Sequence, residues 1–219
     1  MADTVEASPL PRDKKDMRAF TTHHPIGVVA AIVPWNAQMF LTATKLAPAL
    51  AAGCSIIIKA SEIAPCAMFE LAYLVEKCGF PKGVVSVVTG DAENCAEPLT
   101  SHPDIDRIAF TGGTHTAREI IKNSSNNFAA TNLELGGKSP LIVFEDADIE
   151  SAANGIIAGN FGASGQSCVA GSRVIVHKNI AHELIKLIEK KSQSIIVGDP
   201  LNPETNLGPL CTIKQIHLI

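Results

Sequence analysis

The sequence predicts an α/β fold built on a parallel β-sheet with helices on both faces. Two observations predict it: short apolar runs recur along the chain, and segments with helical periodicity alternate with them. Strands that are apolar on both faces are typical of a parallel sheet buried between two layers of helices. Hydrophobic residues make up 46% of the 219 residues, enough to bury the core of one large domain, or of one domain and part of another.

Five strands and four helices are expected in the first 137 residues. The expected strands are 27–33, 55–60, 83–88, 105–113 and 131–137. The helices between them are 37–52, 65–78, 92–101 and 114–123. Pro65 in the first turn and Gly79 after the last turn favour the start and the end of the second helix. Pro48 is expected to bend the first helix, because proline cannot donate the backbone hydrogen bond there.

The same alternation resumes after Gly137 and predicts the start of a second domain. Its strands and helices are expected, in alternation, at 139–144, 148–160, 172–178 and 180–194. A proline-rich loop, "GDPLNPETNLGPL", follows the last of these helices. We expect a domain boundary near residue 136, a second domain that is unfinished at residue 219, and an extended N-terminal segment over 1–22.

Charge and polarity argue against two classes of partner. The chain has 18 Lys and Arg against 22 Asp and Glu, a net charge of −4, and it has no basic cluster of the kind that binds nucleic acid. Residues 26–44 are uncharged and long enough for a membrane span. However, Pro34, Asn36 and Gln38 lie in the middle, where polar groups are costly in lipid. We therefore expect neither nucleic acid nor a membrane as a partner.

The cysteines and histidines predict no metal site and no disulfide framework. The six cysteines lie at least 12 residues apart, so the CxxC spacing of metal and redox motifs is absent. The seven histidines show no metal-ligand spacing either. The first ten residues carry two acidic groups and no apolar core, so no signal peptide is expected. We expect reduced thiols and a cytoplasmic location.

Unusual residues follow the predicted strands, where ligands bind in open parallel sheets. "PWN" follows the first strand, "KASE" the second, "TGD" the third and "TGG" the fourth, and there is no GxGxxG motif. The segment "TGGTHTA" (111–117) either presents backbone N–H groups to a phosphate or forms a plain strand–helix turn. Lys59 and Glu62 either contact ribose hydroxyls or are two solvated charges on a loop.

Glu134 and Cys168 also allow two interpretations each. Glu134 lies among leucines beside two glycines, where partial desolvation would raise its pKa and suit a general base. An edge-strand glutamate facing water fits the same pattern. Cys168 lies in a loop of small residues, "FGASGQSCVAGSR" (161–173). It is either a nucleophile, which needs nearby dipoles or charges that favour the thiolate, or a small buried hydrophobic residue.

Taken in order, five motifs resemble the aldehyde dehydrogenase superfamily. They are "PWN" at 34–36, "KASE" at 59–62, "FTGG" at 110–113, "LELGGKSP" at 133–140 and "GQSC" at 165–168. The likeness runs from about residue 23 to residue 210. It implies a Rossmann-like dinucleotide-binding domain over 23–135 and a partial catalytic domain over 136–219. It also implies oxidation of a small aldehyde to a carboxylic acid with NAD as the hydride acceptor.

The resemblance assigns roles to individual residues. Cys168 matches the thiol that forms the thiohemiacetal and thioester, Glu134 the base that activates the deacylating water, and Asn36 the amide that binds the oxyanion together with the Cys168 N–H. The implied cofactor-binding positions are Trp35, Lys59, Ser61, Glu62, Gly90, Thr111, Gly112, Gly113, Leu135 and Gly136. The Glu62 carboxylate would repel a 2′-phosphate, so NAD is expected rather than NADP.

The sequence also departs from the family pattern. Ala60 replaces a proline and Ala117 a glycine, and the cofactor contacts are expected to survive both changes. Family members are longer at both ends, so this chain resembles their middle, and their full-length forms are homo-oligomers. Weak stability and poor turnover are therefore expected of this chain in isolation.

Two alternatives stay open. The first is a truncated paralogue or gene fragment that is non-catalytic or weakly active. The second is a CoA-acylating semialdehyde dehydrogenase, which the water-activating Glu134 disfavours.

Overall fold

The computed structural model describes residues 8–10, 15–17 and 19–217. Residue contacts divide the chain into two compact units, Met1–Leu135 and Gly136–Ile219. Near the start of the first unit, β1 (Ser8–Pro9) and β2 (Phe20–Thr21) form a short antiparallel pair. The rest of the extended segment expected over 1–22 lies partly outside the described residues.

The parallel sheet predicted for the first unit is confirmed. Its strands are β3 (Val28–Ile32), β4 (Ser55–Ala60), β5 (Val85–Thr89), β6 (Arg107–Gly112) and β7 (Ala130–Leu135). They lie in the order β5-β4-β3-β6-β7, and all neighbours are parallel. The chain runs outward from β3 to β5 and then returns to the other side of β3 for β6 and β7. Open α/β sheets bind ligands at such a switch point, beyond the carboxyl ends of the strands.

Helices connect these strands at the places that the sequence predicts, with small shifts at the ends. They are α1 (Gln38–Ala51), α2 (Cys66–Lys77), α3 (Glu97–Ser101) and α4 (Thr114–Ser124). The helix α1 continues through Pro48, and a π-helical turn over Ala92–Ala96 leads into α3. The strand β5 begins two residues later than expected, because Gly83 adopts the left-handed conformation of a turn, with φ +84°.

The wholly apolar sequence of β3 follows from its two covered faces. Val29 and Ala31 belong to a buried cluster that includes residues of α1 and α2. Ala30 and Ile32 belong to a second buried cluster, which includes residues of α4. Because successive side chains of a strand point to opposite faces, a strand at the centre of this sheet has no position open to water.

The second unit contains a two-stranded parallel sheet and three helices. The strands are β8 (Pro140–Val143) and β9 (Arg173–Val176), and the helices are α5 (Ile149–Phe161), α6 (Ala181–Ser192) and α7 (Ile213–Ile216). The helix α7 was not predicted. Asp148 caps α5 by accepting a hydrogen bond from the Ser151 N–H at 2.7 Å. Val143, Ala153 and Leu184 belong to the small core of this unit.

In the part of the chain that the structure describes, no helix is long and apolar enough to cross a membrane. The same residues include no group of three or more side chains arranged to hold a metal ion. All six cysteines are free.

Candidate active site

All predicted site residues of the first unit lie at the carboxyl edge of the five-stranded sheet. Trp35 and Asn36 are half-buried and follow β3, directly before α1. Thr111 and Gly112 end β6, and Gly113 is the N-cap of α4. The positions after β3 and β6 therefore flank the switch point, where the two halves of the sheet diverge.

Three polar groups converge on the face of the sheet that α1 covers. Thr111 and Glu134 are register partners in β6 and β7, so their side chains share one face. The Lys45 ammonium, on α1, donates a hydrogen bond to Thr111 Oγ1 at 2.7 Å. Burial lowers the pKa of Lys45, and the negative charge of Glu134 partly opposes this effect. We call Lys45, Thr111 and Glu134 the edge cluster.

Lys45 was missed by the sequence reasoning, although a signal was available. It is the only charged residue between residues 25 and 58. A lone lysine in such an apolar stretch needs a polar partner, because an unpaired buried charge is costly. Thr111 provides that partner, from a strand that is 66 residues away in sequence.

Of the two interpretations of Glu134, the structure agrees with an edge-strand glutamate that faces water. Glu134 is exposed, despite the leucines on either side of it. The physical reason is the position of β7, which is the edge strand of the sheet and, among the strands that the structure describes, is paired only with β6. Leu133 packs against the buried cluster on the α4 face, and alternation turns Glu134 to the other face. On that face the negative charge of Glu134 acts on Lys45.

The residues of "KASE" form a charged pair at the end of β4. Lys59 is buried, with 7% exposure, and its ammonium lies 2.9 Å from Glu62 Oε2. Partial burial raises the pKa of Glu62, but the hydrogen bond from Lys59 and its charge outweigh this, so the pKa is lowered. Ser61, which lies between them in sequence, is buried, and its Oγ accepts a hydrogen bond from the Ile63 N–H at 3.4 Å. The two charges are paired rather than independently solvated, and Glu62 keeps acceptor positions open to solvent.

The predicted glycines differ in what surrounds them. A Cβ on Gly112 would lie 2.4 Å from the Phe110 ring, and one on Gly90 would lie 2.7 Å from the Cβ of Cys95. No atom lies within 4 Å of the position that a Cβ would take on Gly113. The helix α4 that Gly113 begins has no side-chain cap, so its first N–H groups are available to an anion. Leu135 is 40% exposed, and Gly136, like Gly113, has open space at its Cβ position.

Cys168 is exposed, which contradicts the alternative of a small buried hydrophobic residue. It follows a turn in which Ala163 and Ser164 both have positive φ angles, 52° and 55°. Among the described residues, none accepts a hydrogen bond from the Cys168 amide. Cys168 belongs to the second unit, whereas Asn36 and Glu134 belong to the first. The approach of these three groups to one another stays a prediction.

The family model described as the aldehyde dehydrogenase family matches residues 1–219. This chain belongs to the aldehyde dehydrogenase family. The family resemblance that was inferred from the five sequence motifs is thereby confirmed. One similar protein is (Z)-2-((N-methylformamido)methylene)-5-hydroxybutyrolactone dehydrogenase of Acinetobacter baylyi. It is 53% identical over 98% of this chain and 44% of its own length.

Solved structures of longer proteins contain the same fold as this chain. PnpE of Pseudomonas sp. WBC-3, solved in complex with nicotinamide adenine dinucleotide, is 47% identical, with a TM-score of 0.90 over 97% of this chain and 43% of PnpE. An NADP-dependent enzyme of Escherichia coli is 34% identical, with a TM-score of 0.93 over 99% of this chain and 45% of that enzyme. The chain thus spans less than half the length of the relatives that it matches.

Proposed function

We propose that this chain carries the cofactor site and the nucleophile of an NAD(P)-dependent aldehyde dehydrogenase, which oxidises an aldehyde to a carboxylic acid. One observation carries the proposal: the residues predicted for the first unit all lie at the carboxyl edge of a sheet with a single switch point. That edge is where a sheet of this topology binds a dinucleotide. The family membership of the chain supports the same chemistry.

The residues at this edge fit a dinucleotide. The uncapped N-terminus of α4 and the open space at Gly113 suit a pyrophosphate, because backbone N–H groups and the helix dipole attract anions. The exposed carboxylate of Glu62, held by Lys59, suits the hydroxyl groups of a ribose. The other cofactor positions that we propose, on the resemblance to the family, are Trp35, Ser61, Gly90, Thr111, Gly112, Leu135 and Gly136.

We infer that the cofactor is NAD rather than NADP. The lowered pKa of Glu62 keeps its carboxylate ionised at neutral pH, and a 2′-phosphate placed beside it would be repelled. Similar proteins include both an NAD complex and an NADP-dependent enzyme, so the preference depends on Glu62 and not on the comparison.

The proposed chemistry begins at Cys168. Its thiolate attacks the aldehyde carbon, and the new C–S bond leaves a negative charge on the former carbonyl oxygen. The Asn36 side-chain amide and the Cys168 N–H donate hydrogen bonds to that oxygen. Deleting one such donor costs about 3 kcal/mol in transition-state stabilisation. A nicotinamide held at the sheet edge would supply the acceptor for the hydride that leaves the thiohemiacetal carbon.

Hydrolysis of the resulting thioester requires a base. In the proposal, Glu134 removes a proton from a water molecule, the water oxygen attacks the thioester carbon, and Cys168 leaves as the thiolate. The Lys45 ammonium attracts the carboxylate toward the face that α1 covers and so orients it. Lys45 thus orients Glu134 and takes no part in the proton transfer.

The aldehyde that we propose is small and carries an apolar substituent. Met39 and Phe40, in the first turn of α1, expose large apolar side chains three and four residues after Asn36. Val169, which follows Cys168, is 79% exposed. For its location we propose the cytoplasm, supported by the six free cysteines.

A thermal-shift titration of the chain with NAD and NADP tests the cofactor proposal. NAD at 100 times its Kd is expected to raise the free energy of unfolding by about 2.7 kcal/mol, and NADP at the same concentration by less. Glu62→Gln is expected to reduce the difference between the two dinucleotides. Glu70→Gln, which changes an exposed carboxylate on α2, is the matched control. Equal shifts with NAD and NADP in the unmodified chain would reject the role of Glu62.

A further inference from the structure

The loop that carries Cys168 is held in a conformation that its sequence disfavours. Ala163, Ser164 and Gly165 follow one another in the left-handed region, with φ angles of 52°, 55° and 72°. Glycine adopts this region freely, but an alanine and a serine in succession do not, because their Cβ atoms crowd the backbone. The loop therefore needs contacts that hold it in place.

Some of these contacts lie within the loop and next to it. The Gln166 N–H donates to the Ala163 carbonyl oxygen at 3.1 Å and closes the left-handed turn. On the far side of Cys168, the Asn160 side-chain amide donates to the Gly171 carbonyl oxygen at 3.1 Å. Asn160 lies in α5, so the last turn of that helix holds the end of the loop.

The other contacts come from a segment about 40 residues later, Gly208–Cys211, which we call the strap. The Gly208 N–H donates to Ser164 Oγ at 3.1 Å. The Cys211 N–H donates to Gln166 Oε1 at 2.8 Å. Both acceptors are side chains of the loop and lie two residues apart in sequence. Both donors are backbone amides of the strap and lie three residues apart. Two such bonds fix both the position and the direction of the loop against the strap.

We propose that Ser164 and Gln166 are positioning residues for Cys168. By binding the strap they hold the left-handed turn, and this turn determines how Cys168, two residues after Gln166, presents its thiol and its amide. The inference rests on the proposed function in taking Cys168 as the nucleophile. Reactive groups must be held within a fraction of an ångström of their productive geometry, so a loop without the strap would present the thiol for only part of the time.

The test uses Gln166→Ala, Ser164→Ala and the conservative variant Gln166→Glu, which keeps an acceptor for the Cys211 amide. Gln193→Ala is the control, because Gln193 is exposed at the end of α6 in the same unit. The first measurement is amide hydrogen exchange resolved by residue. We expect Gln166→Ala to expose the Cys211 amide and Ser164→Ala to expose the Gly208 amide, each exchanging about fivefold faster.

The second measurement is the rate at which iodoacetamide labels Cys168, resolved by peptide mass spectrometry with Cys66 as the internal reference. Cys66 is also exposed and belongs to the first unit. We expect the Cys168 rate to fall about fivefold in Gln166→Ala, to recover in Gln166→Glu and to stay unchanged in Gln193→Ala. If the role of Gln166 did not depend on its hydrogen-bond acceptor, the labelling rate of Cys168 would not be expected to recover in Gln166→Glu.

Two outcomes overturn the proposal. Faster exchange at Cys211 with an unchanged labelling rate at Cys168 means that the strap does not position the thiol. Unchanged exchange in both alanine variants means that the strap does not bind these side chains. If Gln166→Ala fails to fold, Ser164→Ala and Gln166→Glu decide by the same criteria. Failure of the unmodified chain to form a thioester with an aldehyde rejects the proposed function of Cys168 but leaves these measurements valid.

Discussion

Replacing Lys45 with methionine separates the contribution of the edge cluster to stability from its contribution to function. The Lys45 ammonium donates a charged hydrogen bond to Thr111 Oγ1 at 2.7 Å, and such a bond contributes roughly 1.5–3 kcal/mol. Burial opposes it, and the lowered pKa shows that burial is the larger influence on the charge. Methionine keeps most of the apolar stem and removes the charge. We therefore expect the free energy of unfolding at pH 7 to change by less than about 1 kcal/mol.

The pH dependence of stability gives the sharper readout. Because the pKa of Lys45 is lower in the folded chain than its ordinary value of 10.5, the unfolded chain binds more protons between these two pKa values. The free energy of unfolding should therefore rise with pH across that window. In Lys45→Met this contribution to the rise should be absent. The fluorescence of Trp35, the only tryptophan, follows urea unfolding of the first unit at each pH.

Lys82→Met is the matched control, because Lys82 is exposed. It should leave the pH dependence as it is in the unmodified chain. If Lys45→Met and the unmodified chain gain the same stability between neutral and alkaline pH, the burial of Lys45 is not what sets its charge, and the account of the edge cluster is refuted. If hydrolysis of the thioester slows in Lys45→Met while stability is unchanged, the orienting role for Glu134 is supported.

Further substitutions test the glycines of the first unit and the core of the second unit. Gly112→Ala should destabilise the first unit by about 1–3 kcal/mol, because its Cβ would lie 2.4 Å from the Phe110 ring. Gly113→Ala, where the Cβ position is open, should leave urea unfolding nearly unchanged but weaken NAD binding in a calorimetric titration; equal effects of the two substitutions on stability would contradict the packing argument. Leu184→Ala should destabilise the second unit by about 2–5 kcal/mol in urea unfolding followed by circular dichroism. Ile185→Ala, at an exposed neighbour, should change it by no more than about 0.5 kcal/mol, and a similar loss in both would reject the core assignment.

Much of the first unit was predictable from the sequence because its pattern is dictated by local rules. A strand covered on both faces, such as β3, has no polar position, and the apolar run reports this directly. The ends of elements were less predictable. Gly83 adopts the left-handed conformation, so β5 begins two residues later than expected. The sequence alone does not show which φ angle a glycine adopts.

The candidate site was predictable where a motif names the residue, and not where the residue depends on the order of strands. Lys45 lies 66 residues from Thr111, and their contact exists only because α1 covers the face that β6 presents. The exposure of Glu134 follows from the position of β7 at the edge of the sheet, which its flanking leucines do not encode. The contacts between the strap and the Cys168 loop are long-range for the same reason.

The central claim is that Cys168 forms the thioester that Glu134 helps to hydrolyse. The most direct test is to incubate Glu134→Gln with NAD and a small aliphatic aldehyde, and then to map acylated cysteines by peptide mass spectrometry. The account predicts an acyl group on Cys168, accumulating more in Glu134→Gln than in the unmodified chain and absent in Cys168→Ser. Acylation of another cysteine, or none at Cys168, would contradict it.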